Sequence, residues 1–212
     1  MCRLLWLRAP KPVQVTQHLE AFAAICEDSS EYQGHGWGCA WLDDNQWRFH
    51  HSITPIWQDA LDGFNDTSLF LAHARSAFRD EGIRVENNMP FTNGNRVFIF
   101  NGELSGVRIR ESGRIGAEKI FNYSNRFSHL GALPGLQKTV EVIEKRTRYI
   151  RAMNLIIATP QQSLLSTQYN ENQGYFQMHR ASNDRFKIVC SEPYHLPDAK
   201  WQTIENRTVT EL

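Results

Sequence analysis

The chain has 212 residues, 41% of them hydrophobic and 11% aromatic. That length and apolar share suit one domain, 1–212, with a substantial core. Twenty-three Lys plus Arg balance twenty-three Asp plus Glu, which disfavours nucleic-acid binding through a generally basic surface.

Residues 3–8 (RLLWLR) predict a strand that Pro10 and Pro12 end. Val15, Leu19, Phe22 and Cys26 recur at helical spacing and predict an amphipathic helix over 13–27. A polar loop, 28–36, leads to a hairpin of strands 38–42 and 47–51 joined by Asp43, Asp44 and Asn45. A short helix is expected around 56–63. Residues 68–75 (SLFLAHAR) and 95–100 (NRVFIF) read as apolar strands, the second running into the turn dipeptide Asn101-Gly102.

The pattern then turns helical. Ile120, Phe127 and Leu130 share a face in 117–130, and Leu136, Val140, Ile143 and Ile150 share one in 135–150. Strands return at 152–159, 163–168, 175–179 and 185–190. Strands, central helices, then strands again predict an α+β domain with segregated layers. No apolar run approaches the roughly 18 residues of a membrane span. The opening MCRLLWLRAPKP has too short an apolar stretch and the wrong flanks for a signal peptide. The expectation is a cytoplasmic protein with neither membrane nor nucleic-acid partners.

Four cysteines, at 2, 26, 39 and 190, form no CxxC pair, so zinc-ribbon and thioredoxin-like readings lose their support. The histidines show no HExxH-type spacing, and adjacent His50 and His51 would point to opposite strand faces. Nothing in the chain calls for a metal or an organic cofactor.

Cys2 stands out by position. With Met1 removed it carries a thiol of reference pKa about 8.5 beside an α-amine of about 7.7–8.0, so one residue supplies nucleophile and general base. An incidental cysteine at a strand start is the other reading. Arg75, closing an apolar strand, suits two-point binding of a carboxylate or merely ends the strand. Asn101-Gly102 is either a turn or an oxyanion hole built from a side-chain amide and a backbone N–H.

The order of MCRLL, GHGWGCAWL, LAHARSAF, ENNMPF, FIFNGEL and VCSEP resembles the class II glutamine amidotransferases, which are N-terminal-nucleophile hydrolases. It is most similar to the small stand-alone subfamily that includes γ-glutamyl amidohydrolases of ergothioneine biosynthesis and glutathione degradation. The resemblance covers nearly the whole chain and lies in the motif order, since each motif alone is weak. It implies a four-layer αββα sandwich and no cofactor. Cys2 would be the nucleophile, and Asn101 and Gly102 the oxyanion hole. Arg75, within the motif begun by His73, would bind the substrate α-carboxylate. Asn87 with Pro90-Phe91, and Trp37 between Gly36 and Gly38, would shape the pocket. The substrate would be glutamine or a γ-glutamyl compound, with ammonia passing to water or to a synthase partner chain.

Three positions depart from the pattern. Phe100 and Met89 stand where the family usually has His. Gly116 stands where it has the Asp that holds the substrate α-ammonium, and Glu118 is the neighbouring acid that could replace it. These departures motivate the alternative of a catalytically impaired or partner-dependent binding protein that keeps the fold.

Overall fold

The computed structural model describes residues 1–212, the side chain of Asp80 apart. In chain order it forms β1 (Arg3–Val13), α1 (Thr16–Glu27), β2 (Trp37–Asp43), β3 (Gln46–Ser52), β4 (Thr67–Ala74), β5 (Phe91–Thr92) and β6 (Val97–Val107). Then come α2 (Gly116–Asn125), α3 (Ala132–Arg146), β7 (Thr147–Ala158), β8 (Ser163–Thr167), α4 (Gln173–Phe176), β9 (His179–Ser182), β10 (Lys187–Cys190), β11 (Gln202–Thr203) and β12 (Thr208–Glu211). The chain is thus mixed α/β, with two antiparallel sheets. Seven strands order as β11-β9-β10-β1-β4-β2-β3 and five as β12-β8-β7-β6-β5. No helix among the described residues is long and apolar enough to cross a membrane.

Strand alternation divides the apolar residues of the seven-stranded sheet between two cores. Leu5 and Leu7 of β1 and Phe70, Ala72 and Ala74 of β4 pack with Leu19, Phe22 and Cys26 of α1. Leu4, Trp6, Leu69 and Leu71, on the opposite face, join Val97, Ile99 and Leu155 of the other sheet. The indole Nε1 of Trp6 donates to Ser163 Oγ at 3.0 Å, a buried hydrogen bond that ties β1 to β8. On the five-stranded sheet, Phe98 stacks on Phe121 of α2 at 5.2 Å. Leu136, Val140 and Ile143 of α3 belong to the same core.

Several expectations are corrected. β1 runs through Pro10 and Pro12 to Val13; its ladder to β4 shifts register between Arg8 and Val13, so the missing proline N–H groups break no pairing there. The expected helix over 56–63 is a single 3-10 turn at Ile56–Gln58. α2 stops at Asn125, leaving Leu130 exposed, and Ile150 belongs to β7 rather than to the α3 face. Residues 173–176 coil into α4 where a strand was expected, since a short apolar pair such as Tyr175-Phe176 fits either period. Asn101-Gly102 is no turn: both lie inside β6, paired with Asn154 and Met153 of β7. The hairpin forms as expected, its two turn residues Asp44 and Asn45 both at positive φ.

Phe22 is fully buried between α1 and the seven-stranded sheet. Phe22→Ala is expected to lower the unfolding free energy by about 3–5 kcal/mol, the usual cost of deleting a buried ring, read as a shift of the urea midpoint.

Candidate functional site

Cys2 precedes a strand held on both sides. Leu4 pairs with His73 of β4, and Leu5 pairs with Cys190 of β10. Beyond β10, the Leu4 N–H donates to Ser191 Oγ at 2.8 Å and the Ser191 N–H returns to the Leu4 carbonyl at 3.0 Å. The chain start is therefore fixed at the backbone level. The Cys2 thiol is half-buried and lies 3.8 Å from the Ser76 carbonyl, a weak donor contact. Burial raises its pKa, while the Met1 amino group, the Ser76 backbone and the Arg75 charge pull it down.

Arg75 follows β4, with its backbone pinned by Gly36 and His35: its N–H donates to the Gly36 carbonyl at 2.9 Å, and the His35 N–H donates to its carbonyl at 3.1 Å. Its Nη1 donates to the Gly82 carbonyl at 3.0 Å, and Asn87 Nδ2 donates to the same carbonyl at 2.9 Å. One loop thus positions both side chains. Asn87 Oδ1 is buried with no partner among the described residues. His73 is fully buried, between Leu4 and Gly38 in the sheet. Burial, then the Arg75 charge, push it down to about 3 against a pull upward from the Phe100 backbone, so it is neutral and acts on its neighbours rather than on solvent.

Asn101 is fully buried in β6, and neither Nδ2 nor Oδ1 has a partner among the described residues. Asn154 opposite shows the contrast. Its Nδ2 donates to the Phe176 carbonyl at 2.7 Å, and its Oδ1 accepts from Thr167 Oγ1 at 2.7 Å and Gln168 N at 3.2 Å. Gly102 has no room for a side chain: a methyl there would come within 2.3 Å of the Ala152 carbonyl oxygen.

Two expected pocket residues are engaged in other contacts. Trp37 pairs with Ala74, so its indole shares that residue's face, packs in the α1 core and donates to Asp59 Oδ2 at 2.8 Å. The sheet separates it from the His73 face, because neighbouring strand residues alternate. Glu118 is bound by Arg114, whose Nε lies 2.9 and 3.0 Å from the two carboxylate oxygens. Trp37 thus lies on the face away from His73, and Glu118 is already engaged in an ion pair. A side chain at Gly116 would meet nothing within 4 Å.

The structure adds a group that the sequence reading passed over as loop. Glu31 Oε2 accepts from the Met1 amino group at 2.5 Å, and Glu31 Oε1 lies 3.2 Å from Arg151 Nη2. Burial alone would raise Glu31, but the Met1 amino group and Arg151 hold its pKa below the usual carboxylate range. Arg151 also reaches Glu103 at 3.3 Å and Glu171 at 3.4 Å. The Met1 carbonyl accepts from Gln33 Nε2 and, at 2.5 Å, from the Tyr175 hydroxyl. The Met1 side chain packs on a small core of Ala152, Tyr169, Tyr175 and Phe176. The one sequence signal for this cluster was Glu31 and Gln33 standing together in the loop before Gly36.

Among the described residues no three His, Cys, Asp or Glu are grouped to hold a metal ion. Two surface clefts of about 180 and 410 Å³ are lined by other residues, including Arg96, Ser128, Glu141 and Arg207. Neither cleft is lined by Cys2, Arg75 or Asn101.

No family model and no curated protein sequence matches the chain. Solved structures do. Glutamine phosphoribosylpyrophosphate amidotransferase from B. subtilis, complexed with ADP and GMP, superposes with a TM-score of 0.64 at 14% identity over 90% of this chain. The match spans only 42% of that larger protein. A glutamine aminotransferase class-II domain protein from Silicibacter pomeroyi matches with a TM-score of 0.62 at 16% identity, covering 100% of this chain and 98% of its own. A predicted glutamine amidotransferase from Pseudomonas aeruginosa gives 0.53 at 15% identity, covering 100% and 94%. The chain has the class II glutamine amidotransferase fold.

The neutral state of His73 predicts a pH dependence of stability. An unfolded His titrates near 6.5, whereas His73 in the folded chain holds out to about 3. Between those values the unfolded chain binds one more proton, so the stability conferred by folding falls as pH falls, by up to about 1.4 kcal/mol per pH unit from this residue. His73→Asn is expected to flatten the urea-midpoint profile between pH 6 and 4 relative to the parent; an unchanged slope would mean that His73 is charged in the fold.

Proposed function

We propose that the chain is a glutamine or γ-glutamyl amidohydrolase of the class II amidotransferase type. Its single domain, 1–212, would be a four-layer αββα sandwich working in the cytoplasm. The observation that carries the reading is Asn101. A fully buried amide with neither polar atom partnered costs about 1–3 kcal/mol of desolvation, and a site that needs a free donor accounts for it. His73, cross-strand partner of Leu4, feels the backbone of Phe100, next to Asn101, which supports a β6 that passes close to the start of β1.

In this mechanism Met1 is first removed, because a Cys2 nitrogen inside a peptide bond is no base. The freed α-amine takes the thiol proton, directly or through water. The Cys2 sulfur attacks the γ-amide carbonyl. Asn101 Nδ2 and the Gly102 N–H stabilise the oxyanion. The C–N bond breaks, and the leaving amine or ammonia takes a proton from the Cys2 α-ammonium. Water, deprotonated by the same amine, then hydrolyses the thioester to release glutamate and restore the thiol. Arg75, set by the Gly82 loop, would clamp the substrate α-carboxylate.

The second reading, a partner-dependent or impaired protein, is favoured by Gly116 in open space and by Glu118 held by Arg114. Without an acid for the α-ammonium, glutamine forgoes a contact worth about 1.5–3 kcal/mol. Covalent labelling separates the two. A glutamine-analogue diazoketone is expected to add one mass increment to the processed chain, on Cys2; no labelling of a correctly processed N-terminus would support the binding-protein reading.

Cys2→Ala is expected to reduce γ-glutamyl amide hydrolysis to background, and full activity in that variant would overturn the mechanism. Asn101→Leu is expected to lower kcat about 10²–10³-fold with the melting temperature unchanged or raised, since both amide atoms lack partners. Arg75→Lys, which keeps charge but loses the planar fork, is expected to raise KM about tenfold with a smaller change in kcat.

A further inference from the structure

Residue 1 reports on the ground beside the nucleophile. Its amino group, three bonds from the Cys2 nitrogen, is held by Glu31 at 2.5 Å. Glu31 belongs to a cluster of three carboxylates, with Glu103 and Glu171, against one cation, Arg151, which touches all three at 3.2–3.4 Å. Each of the four keeps part of its side chain exposed, so the cluster is open to solvent. Arg151 already engages Glu31 Oε1, whereas Oε2 faces the Met1 ammonium. A second observation points to a ligand at the same place. Gln33 is fully buried, and its Nε2 donates to the Met1 carbonyl, yet its Oε1 has no partner among the described residues. The same amide lies against the Met1 carbonyl, where residue 1 meets Cys2.

The position fixes what the ligand would be. In the hydrolysis described above, the leaving amine takes its proton from the Cys2 α-ammonium, so it departs beside the Cys2 nitrogen, the atom to which residue 1 is bonded. Glu103 lies two residues beyond Asn101 on β6, which puts carboxylate next to the oxyanion donors as well. We propose that Glu31, Glu103 and Gln33 form a leaving-group subsite for an amine bearing a second, cationic nitrogen, so that the preferred substrates are γ-glutamyl amides of diamines or polyamines. The proposal rests on the amidohydrolase reading. The remote ammonium of such a substrate takes the place of the Met1 amino group on Glu31 Oε2, and Gln33 Oε1 accepts from the scissile N–H. C–N cleavage then proceeds as already written and releases the free diamine.

The experiment compares four amides on the processed enzyme: glutamine, γ-glutamyl-butylamide, γ-glutamyl-(4-aminobutyl)amide and γ-glutamyl-glycine. The aminobutyl amide is expected to exceed the butylamide in kcat/KM by at least about tenfold, the low end for a hydrogen bond to a charged group. γ-Glutamyl-glycine, whose leaving group is anionic, is expected to be the poorest. Glu31→Gln should bring the aminobutyl-to-butyl ratio near one. Glu31→Lys should invert the preference toward γ-glutamyl-glycine, a gain that misfolding cannot imitate. Equal rates for the two butyl amides would overturn the subsite. So would Glu31→Gln slowing all four by one common factor, because Glu31 would then be holding the Cys2 ammonium itself. Calorimetric titration of 1,4-diaminobutane into processed Cys2→Ala protein reads the subsite without chemistry: saturable binding lost in Cys2→Ala/Glu31→Gln supports it, and no binding overturns it. If no amide is hydrolysed and the diazoketone does not label Cys2, the amidohydrolase reading fails, and the titration still decides whether the cluster binds a diamine.

Discussion

The first residues of the chain lie in the middle of a seven-stranded sheet, paired with β10 on one side and β4 on the other. Chain termini ordinarily fray because too few contacts offset the entropy of holding them. Here the ladder begins at Arg3, and Ser191 closes it at Leu4 with two further hydrogen bonds. Fixing Cys2 in this way restricts the thiol to rotation about its own side chain. Register then sets His73 opposite Leu4, with Arg75 just past the end of β4, while Asn101 lies in β6 of the other sheet.

Between the sheets the polar residues sort by whether they are satisfied. Asn154 spends its amide on Phe176, Thr167 and Gln168 and so stitches β7 to the segment carrying α4. Trp6 spends its indole N–H on Ser163. Asn101, Asn87 Oδ1 and Gln33 Oε1 are buried and unpaired among the described residues. Low dielectric makes such groups costly when unpaired and effective when a partner arrives. Asn87 shares the Gly82 carbonyl with Arg75, and Gln33 meets the Met1 carbonyl beside Cys2; unpaired groups of this kind are what the proposed polar site would use. Gly102 completes it by geometry, because only glycine lets β6 run within contact of the Ala152 carbonyl.

Much of this was legible in the chain. The apolar spacing of Leu19, Phe22 and Cys26 located α1, and Asp44-Asn45 located the hairpin, because local rules govern both. Cys2, Arg75 and Asn101 could be singled out as candidates because the order of their motifs is more specific than any one of them. What escaped was set by tertiary context. Prolines at 10 and 12 looked like breakers, but they stop a strand only where a ladder hydrogen bond is needed. Asn101-Gly102 has turn chemistry, yet pairing with Asn154 and Met153 keeps it extended. Trp37 sits beside a site glycine in sequence but on the far face of its strand, an assignment that depends on register. Glu31 carried no periodic signal at all, since a loop residue acquires its role only when the chain start arrives next to it.

Charge gives the last step. A substrate with a γ-glutamyl head offers an α-carboxylate, which Arg75 can match, and an α-ammonium, for which Gly116 offers nothing. If recognition stopped at the head group, such a site would hold glutamine by one charge instead of two. In the proposed site the carboxylates lie at the chain start instead, where Glu31, Glu103 and Glu171 outnumber Arg151 and the ammonium on Glu31 by one charge. The neutral overall composition hides this asymmetry: in the proposed site one end would be cationic at Arg75, and the other anionic at Glu31 and Glu103. A ligand that answers both must be anionic at its head and cationic at its tail, with the scissile amide between the charges. Free glutamine has no tail to reach the second pole, so discrimination against it would come from binding energy that only the longer amide can supply.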